Sequence, residues 1–93
     1  MEWEAYNTAW LVDLARSQFP DQPWLAEALA HCTVCRWESP AYVHFVDPDR
    51  PNTPGSPWQF RENILLDHPT KGTLVLDVLQ GDRVGGVEFL SRL

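Results

Sequence analysis

Ninety-three residues and 10.7 kDa are the size of one small domain, so the chain is expected to form a single domain spanning 1–93. Hydrophobic residues make up 44 % and aromatics 12 %, with five tryptophans, which is enough to bury a core and argues against disorder. Thirteen acidic residues against seven basic ones give a formal charge of −6, which repels a phosphate backbone and favours a basic partner, so nucleic acid is not the expected ligand. The wholly apolar runs are short, and Met1-Glu2-Trp3-Glu4 lacks the basic flank and apolar stretch of an export signal. Neither a membrane span nor export is expected.

From Trp3 to Arg16 the residues Trp3, Tyr6, Trp10, Leu11 and Leu14 recur at three- and four-residue steps, which predicts an amphipathic helix ended by Pro20. Asp21 as N-cap and Pro23 in the first turn open a second helix through Ala30. Tyr42-Val43-His44-Phe45-Val46 alternates with a β-branched and aromatic bias between Pro40 and Asp47-Pro48, which predicts a strand. Asp47 to Pro57 holds four prolines and a glycine and is read as a loop. Trp58–Leu66, Thr73–Leu79 and Arg83–Leu90 follow as strands, joined by turns at Asp67–Gly72 and Gly81-Asp82.

The expected fold class is α+β: two N-terminal helices packed on an antiparallel sheet of about four strands with two consecutive C-terminal hairpins. A two-residue turn at Gly81-Asp82 sets Gln80 opposite Arg83, Val78 opposite Gly85, Leu76 opposite Val87 and Leu74 opposite Phe89. Pairing Phe60 with Val78 and Ile64 with Leu74 keeps the preceding strand's apolar residues inward, with Glu62 an awkward member of that face. The outer face then places Arg61 opposite Asp77, with Glu88 across Gly86, and leaves Val75, Leu79, Val84 and Leu65 as apolar area beside the acids. Asp77 and Glu88 are expected to face solvent, so reversing both to lysine is expected to leave the fold intact.

Two patterns could carry chemistry. Cys32-Thr33-Val34-Cys35, after His31, is half of a zinc site, but a tetrahedral site needs four ligands and no second such pair exists, so His44 or His68 would have to complete it. A redox reading needs the motif to open a helix, whereas here it follows one. The plainer reading is two reduced cysteines near a helix end. His31, His44 and His68 fall in three different elements, and no nucleophile, paired-carboxylate or phosphate-loop motif accompanies them. No catalytic residue, metal or cofactor is therefore expected. Trp3, Trp10 and Trp24 suit core packing, whereas Trp37 and Trp58 flank proline-rich segments, where an aromatic either plugs the loop or serves as an interface anchor.

Tyr42-Val43-His44-Phe45-Val46-Asp47-Pro48, the Pro54-Gly55-Ser56-Pro57-Trp58-Gln59-Phe60 loop, and the hairpin from Gly72-Thr73-Leu74-Val75-Leu76-Asp77-Val78-Leu79 to Val84-Gly85-Gly86-Val87-Glu88-Phe89-Leu90 together resemble small immunity proteins of bacterial contact-dependent growth inhibition systems. The resemblance covers about half of the chain, from Tyr42 onward. It implies a cytoplasmic, non-catalytic protein that binds one cognate toxin domain, often a nuclease, and occludes its active site. Position and charge make Asp47, Asp49, Asp77, Asp82 and Glu88 the expected contacts to a basic toxin surface, with Trp58 as anchor. The free protein is expected to be a monomer or weak homodimer. Two other readings stand beside this one: a small self-associating bacterial domain of unassigned role, and a zinc-binding domain using the C-x-x-C pair.

Overall fold

The computed structural model describes residues 2–93 as an α+β arrangement of two helices and a six-stranded antiparallel sheet. In chain order the elements are β1 (Glu4–Ala5), α1 (Ala9–Gln18), α2 (Pro23–Ala30), β2 (Val34–Ser39), β3 (Tyr42–His44), β4 (Phe60–His68), β5 (Gly72–Leu79), β6 (Arg83–Phe89) and a closing 3-10 turn (Leu90–Arg92). The strand order across the sheet is β1-β2-β3-β6-β5-β4. The sheet is wider than the four strands expected, because β1 and β2 join it. Among the described residues no helix is long and apolar enough to cross a membrane.

The first helix starts later than its apolar spacing implies. Glu4 and Ala5 pair with Cys35 and Val34, and the Ala9 N–H donates to Asn7 Oδ1 at 2.9 Å, so the chain turns before α1 begins. Pro23 opens α2 as expected, although the cap position is Gln22 rather than Asp21. Thr8 Oγ1 donates to Leu29 O at 2.6 Å, a carbonyl that also accepts the Cys32 N–H at 3.0 Å, and lies 3.2 Å from Cys32 O, so it ties the start of α1 to the end of α2. At the other end of α1, Gln18 Nε2 donates to Asp67 O and the Asp67 N–H donates to Gln18 Oε1, at 2.6 and 2.9 Å. One side-chain amide thus pairs with a stretch of the β4 edge that would otherwise be open.

Both helices cover one face of the sheet. Leu11, Ala15, Leu25 and Leu29 meet Val43, Leu66, Leu74, Leu76, Val78, Val87 and Phe89, all essentially inaccessible to solvent. Each of the leucine, valine and phenylalanine side chains among them contributes about 1.5–3 kcal/mol by leaving water.

Register keeps the expected faces in the middle of the strands but not at the ends, where Val84 turns inward and Phe60, expected inward, is exposed opposite Leu79 beyond an irregularity in β4, and not every expected pair forms. Leu74 faces Phe89 and Leu76 faces Val87, while nearer the turn Leu79 faces Arg83 and Val78 faces Val84. The loop is Gln80-Gly81-Asp82, with Gly81 at φ +80° and Asp82 at φ +55°, and an irregularity between Asp77 and Val78 absorbs the extra residue. Val84 is therefore inward and buried, and Leu79 is buried under the loop, so neither belongs to an exposed apolar patch. In the other hairpin Ile64 faces Leu76 and Leu66 faces Leu74, two residues from the expected pairing. A tight Pro69-Thr70-Lys71 turn lets β4 run to His68 and buries Leu66 fully. The shift sets Asn63, not Arg61, opposite Asp77.

β3 and β6 join the two halves of the sheet. Tyr42, Val43 and His44 face Glu88, Val87 and Gly86. A Cβ at Gly86 would lie 2.6 Å from Val43 O and 3.3 Å from Tyr42 Cε1, which makes the close approach of these strands conditional on glycine. Gly86→Ala is expected to destabilise the fold by about 1–3 kcal/mol, as overpacking does; a urea midpoint unchanged from that of the parent protein would contradict this reading of the junction.

Candidate functional site

The sheet face away from the helices carries the most chemistry. Leu65, Val75, Glu88 and Tyr42 stand in one row across β4, β5, β6 and β3, and Asn63, Asp77, Gly86 and His44 stand in the next. Arg36 on β2 extends the second row beyond His44. Part of this face is closed by the loop between β3 and β4. Trp58 is buried there, its ring edge-on to His44 at 5.5 Å and directly over Gly85, where a Cβ would fall 2.7 Å from the indole. The loop holds itself in shape: Asn52 N–H donates to Trp58 O at 2.8 Å, Phe60 N–H to Asn52 Oδ1 at 2.9 Å, and Ser56 Oγ to Asp49 O at 3.2 Å. Of the two roles open to Trp58, the structure places it as the plug.

Beside the plug lies a polar network. Tyr42 Oη donates to Asp77 Oδ2, and Asn63 Nδ2 donates to Asp77 Oδ1 at 2.9 Å. The Tyr42 and His44 rings lie 4.4 Å apart, and His44 Nε2 is 3.0 Å from Glu38 Oε1. His44 is only 3 % exposed, and its Nδ1 has no hydrogen-bond partner among the described residues. Burial pushes the Asp77 carboxyl above the ordinary aspartate range, opposed by the hydrogen bonds from Tyr42 and Asn63 and by His44. Burial also raises the Tyr42 phenol, reinforced by its bond to Asp77 and by the charges of Asp77, Glu38 and Glu88, so Tyr42 keeps its proton and acts as donor.

The expected contact residues are not brought together. Asp77 is 9 % exposed and inside the network, which overturns its expected solvent-facing position: Asn63 and Tyr42 satisfy it, and Arg61 turns to Asp82 instead, with Nη1 2.6 Å from Oδ1. Asp47 and Asp49 sit in the loop, 3.6 and 4.0 Å from Arg36 Nη2. Trp58, being buried, is not available as an anchor. Glu88 alone of the six lies half-exposed in the open part of the face. Leu65, Val75, Tyr42 and Glu38 accompany it there, and Asp67 borders them opposite Thr73. None of Glu38, Asp67, Asp77 and Glu88 forms an ion pair with an arginine or lysine among the described residues.

The cysteines separate. Cys32 Sγ donates to Ala28 O at 3.3 Å and lines a half-open cavity of about 220 Å³ with Phe45, Val46 and Val84, while Cys35 Sγ points to Glu4 Oε1 at 3.8 Å. Burial pushes the Cys32 thiol up to about 12, and burial together with Glu4 raises that of Cys35, so both remain protonated and poor nucleophiles near neutrality. Among the described residues no three His, Cys, Asp or Glu side chains gather as a metal-binding group.

Comparison with protein-family models, with curated proteins and with solved structures finds no match for this chain.

The network makes a pH prediction with a definite sign. Because the folded value of Asp77 lies above the unfolded one, the folded state takes up the proton first, and Asp77 withdraws stability as pH rises from the ordinary aspartate range through its folded value. Asp77→Asn is expected to flatten that part of the stability–pH profile and to remain folded at pH 7. Asp77→Lys buries an unpaired charge and is expected to cost about 3–5 kcal/mol, against under about 1 kcal/mol for the half-exposed Glu88→Lys. Urea unfolding between pH 4 and pH 7 measures all three; equal losses for the two lysine variants would contradict the burial of Asp77.

Proposed function

We propose that this chain is an immunity protein: a cytoplasmic, non-catalytic module that binds a cognate bacterial toxin domain, a nuclease, and occludes its active site. The docking surface is the open part of the outer face, where Glu38, Glu88 and Asp67 surround Tyr42, Val75 and Leu65. The observation that carries this reading is that none of these three acids pairs with an arginine or lysine among the described residues, Glu38 meeting only the His44 ring, while Asp47 and Asp49 are paired with Arg36 and Asp82 with Arg61. Unneutralised carboxylates around a half-exposed tyrosine and two aliphatic side chains offer charge complementarity at the rim and an apolar, aromatic centre for contact. A nuclease binds a polyanion and needs a cationic cleft, so a chain of net charge −6 is steered toward it and competes with its substrate for the same field. The protonated cysteine thiols are in keeping with a role exercised by binding.

Co-expression with the toxin domain encoded immediately upstream tests the reading: growth is expected to be restored, and unchanged toxicity in the presence of folded protein would overturn it. Glu38→Lys/Glu88→Lys is expected to slow association with that domain at low salt by roughly tenfold or more and to flatten its salt dependence, with dissociation changed less. Stopped-flow measurement over a salt series reads both quantities.

A further inference from the structure

On the helix side of the sheet, a pit of about 100 Å³ opens between the β4–β5 turn and the C-terminal 3-10 turn. Tyr6, Trp10, Trp37 and Phe89 line it, together with Lys71 and Arg92. The Trp37 ring stacks on Phe89 with centroids 5.9 Å apart, and Trp10 lies 6.1 Å from the same ring, so the wall is a continuous aromatic surface. Lys71 Nζ stands 5.3 Å from the centre of the Trp10 ring and Arg92 Cζ stands 4.2 Å from that of Phe89. Two cations thus share one aromatic-walled recess in a chain whose net charge is −6.

Neither cation has a carboxylate partner among the described residues. The surrounding backbone holds both in place. Ser91 Oγ donates to Lys71 O at 2.7 Å, tying the turn that bears the lysine to the turn that bears the arginine, and the Lys71 N–H donates to His68 Nδ1 at 2.9 Å. Arg92 Nη1 donates to Pro40 O at 3.2 Å, which fixes the guanidinium plane and leaves its other N–H groups uncommitted. Contact with the aromatic faces offsets part of the repulsion between the two positive groups. The Tyr6 phenol, raised by burial against the opposing effects of its hydrogen bond with Trp10 and of the Arg92 charge, keeps its proton and supplies a further O–H at the recess.

We propose that this pit binds a phosphate-sized oxyanion between Lys71 and Arg92, with Tyr6 as an additional donor. A dianion balances both cations, whereas a carboxylate balances one. The volume admits the equivalent of a few waters, which suits a single tetrahedral group. The site is independent of the acidic outer face, and its failure would leave the docking surface untouched.

The test is an NMR titration of the full chain with sodium phosphate, sodium acetate and sodium chloride at matched ionic strength, following the indole N–H signals of Trp10 and Trp37. Phosphate is expected to give saturable shifts at these indoles and at the Lys71 and Arg92 amides, with acetate at least about fivefold weaker and chloride flat. Lys71→Met, which keeps the aliphatic stem over Trp10, and Arg92→Gln are each expected to weaken phosphate binding roughly tenfold, the loss of one charge-assisted hydrogen bond. Lys71→Arg is expected to retain it, so Lys71→Met and Lys71→Arg carry the test alone if Arg92→Gln disturbs the turn. Shifts that follow ionic strength only, acetate binding as tightly as phosphate, or a phosphate response undiminished by Lys71→Met would each overturn the proposal.

Discussion

The structure depends on how closely β3 can approach β6. The strand order puts β1, β2 and β3 on one side of that seam and the two C-terminal hairpins on the other, and β3 contributes only Tyr42, Val43 and His44 to the seam. Gly86 lies opposite His44 on one side and Asp77 on the other, and the space a side chain would occupy there is taken by the β3 backbone and the Tyr42 ring. Gly85, one residue earlier, receives both the Phe45 and the Val46 N–H on its carbonyl, at 2.6 and 3.1 Å, and seats Trp58 where its own side chain would be. Two adjacent glycines therefore do two different things. One admits a strand and the other admits a plug. The polar network is a consequence of the first, since Tyr42 can reach Asp77 across an intervening strand only because that strand carries no side chain between them.

The plug then divides the outer face into two chemically different parts. Under the loop, Trp58, Leu79 and His44 are buried, with the imidazole held through Nε2 by Glu38. In the open part, Leu65 and Val75 are flanked by carboxylates. The bases are committed elsewhere. Arg36 is drawn to the loop acids and to the Trp3 ring, 5.1 Å from its centre, and Arg61 to Asp82 and the Trp24 ring. Local geometry thus separates Asp47, Asp49 and Asp82, which arginines neutralise within the fold, from Glu38, Asp67 and Glu88, which are left on the outer sheet face. Net charge alone says nothing about that division.

Faces were more legible in the sequence than partners. Alternation in β5 and β6 is strong enough that Leu74, Leu76, Val87 and Phe89 fall inward under any register that keeps the core apolar, and they do. What alternation leaves free is slippage by two residues, which preserves faces and changes neighbours; this is how Asn63 replaces Arg61 beside Asp77. The three-residue loop at Gln80-Gly81-Asp82 shows the complementary weakness, because Gly-Asp fits more than one hairpin geometry and the slip is repaired by an irregularity that no local pattern announces. At the N-terminus, Trp3, Tyr6 and Trp10 carry helical spacing although only Trp10 is helical, because Tyr6 is turned to the core by the β1–β2 pairing instead. β2 is a strand whose alternation, Cys35 and Trp37 inward against Arg36 and Glu38 outward, is broken at once by Pro40. Without β2 in place, Glu38 cannot be assigned to the outer face, and one of the three acids around Tyr42 is lost from view.

Two cations stand apart from the acids of the outer face. Lys71 and Arg92 lie with the aromatic residues on the helix side, while Glu38, Glu88 and Asp77 lie across the sheet from them. At physiological ionic strength exposed charges are screened over about 8 Å, less than the roughly 10 Å that separates the layers packed on either side of a sheet. The two groups therefore do little to neutralise each other, and each acts as its own local field. For the free protein this arrangement is unfavourable: like charges crowd around Tyr42, and two cations crowd the recess beside Phe89. A counter-charge brought by a second molecule relieves either group without any rearrangement of the backbone that holds it. Relief of that kind favours association through a surface already formed, which is the property required of a module that acts by binding.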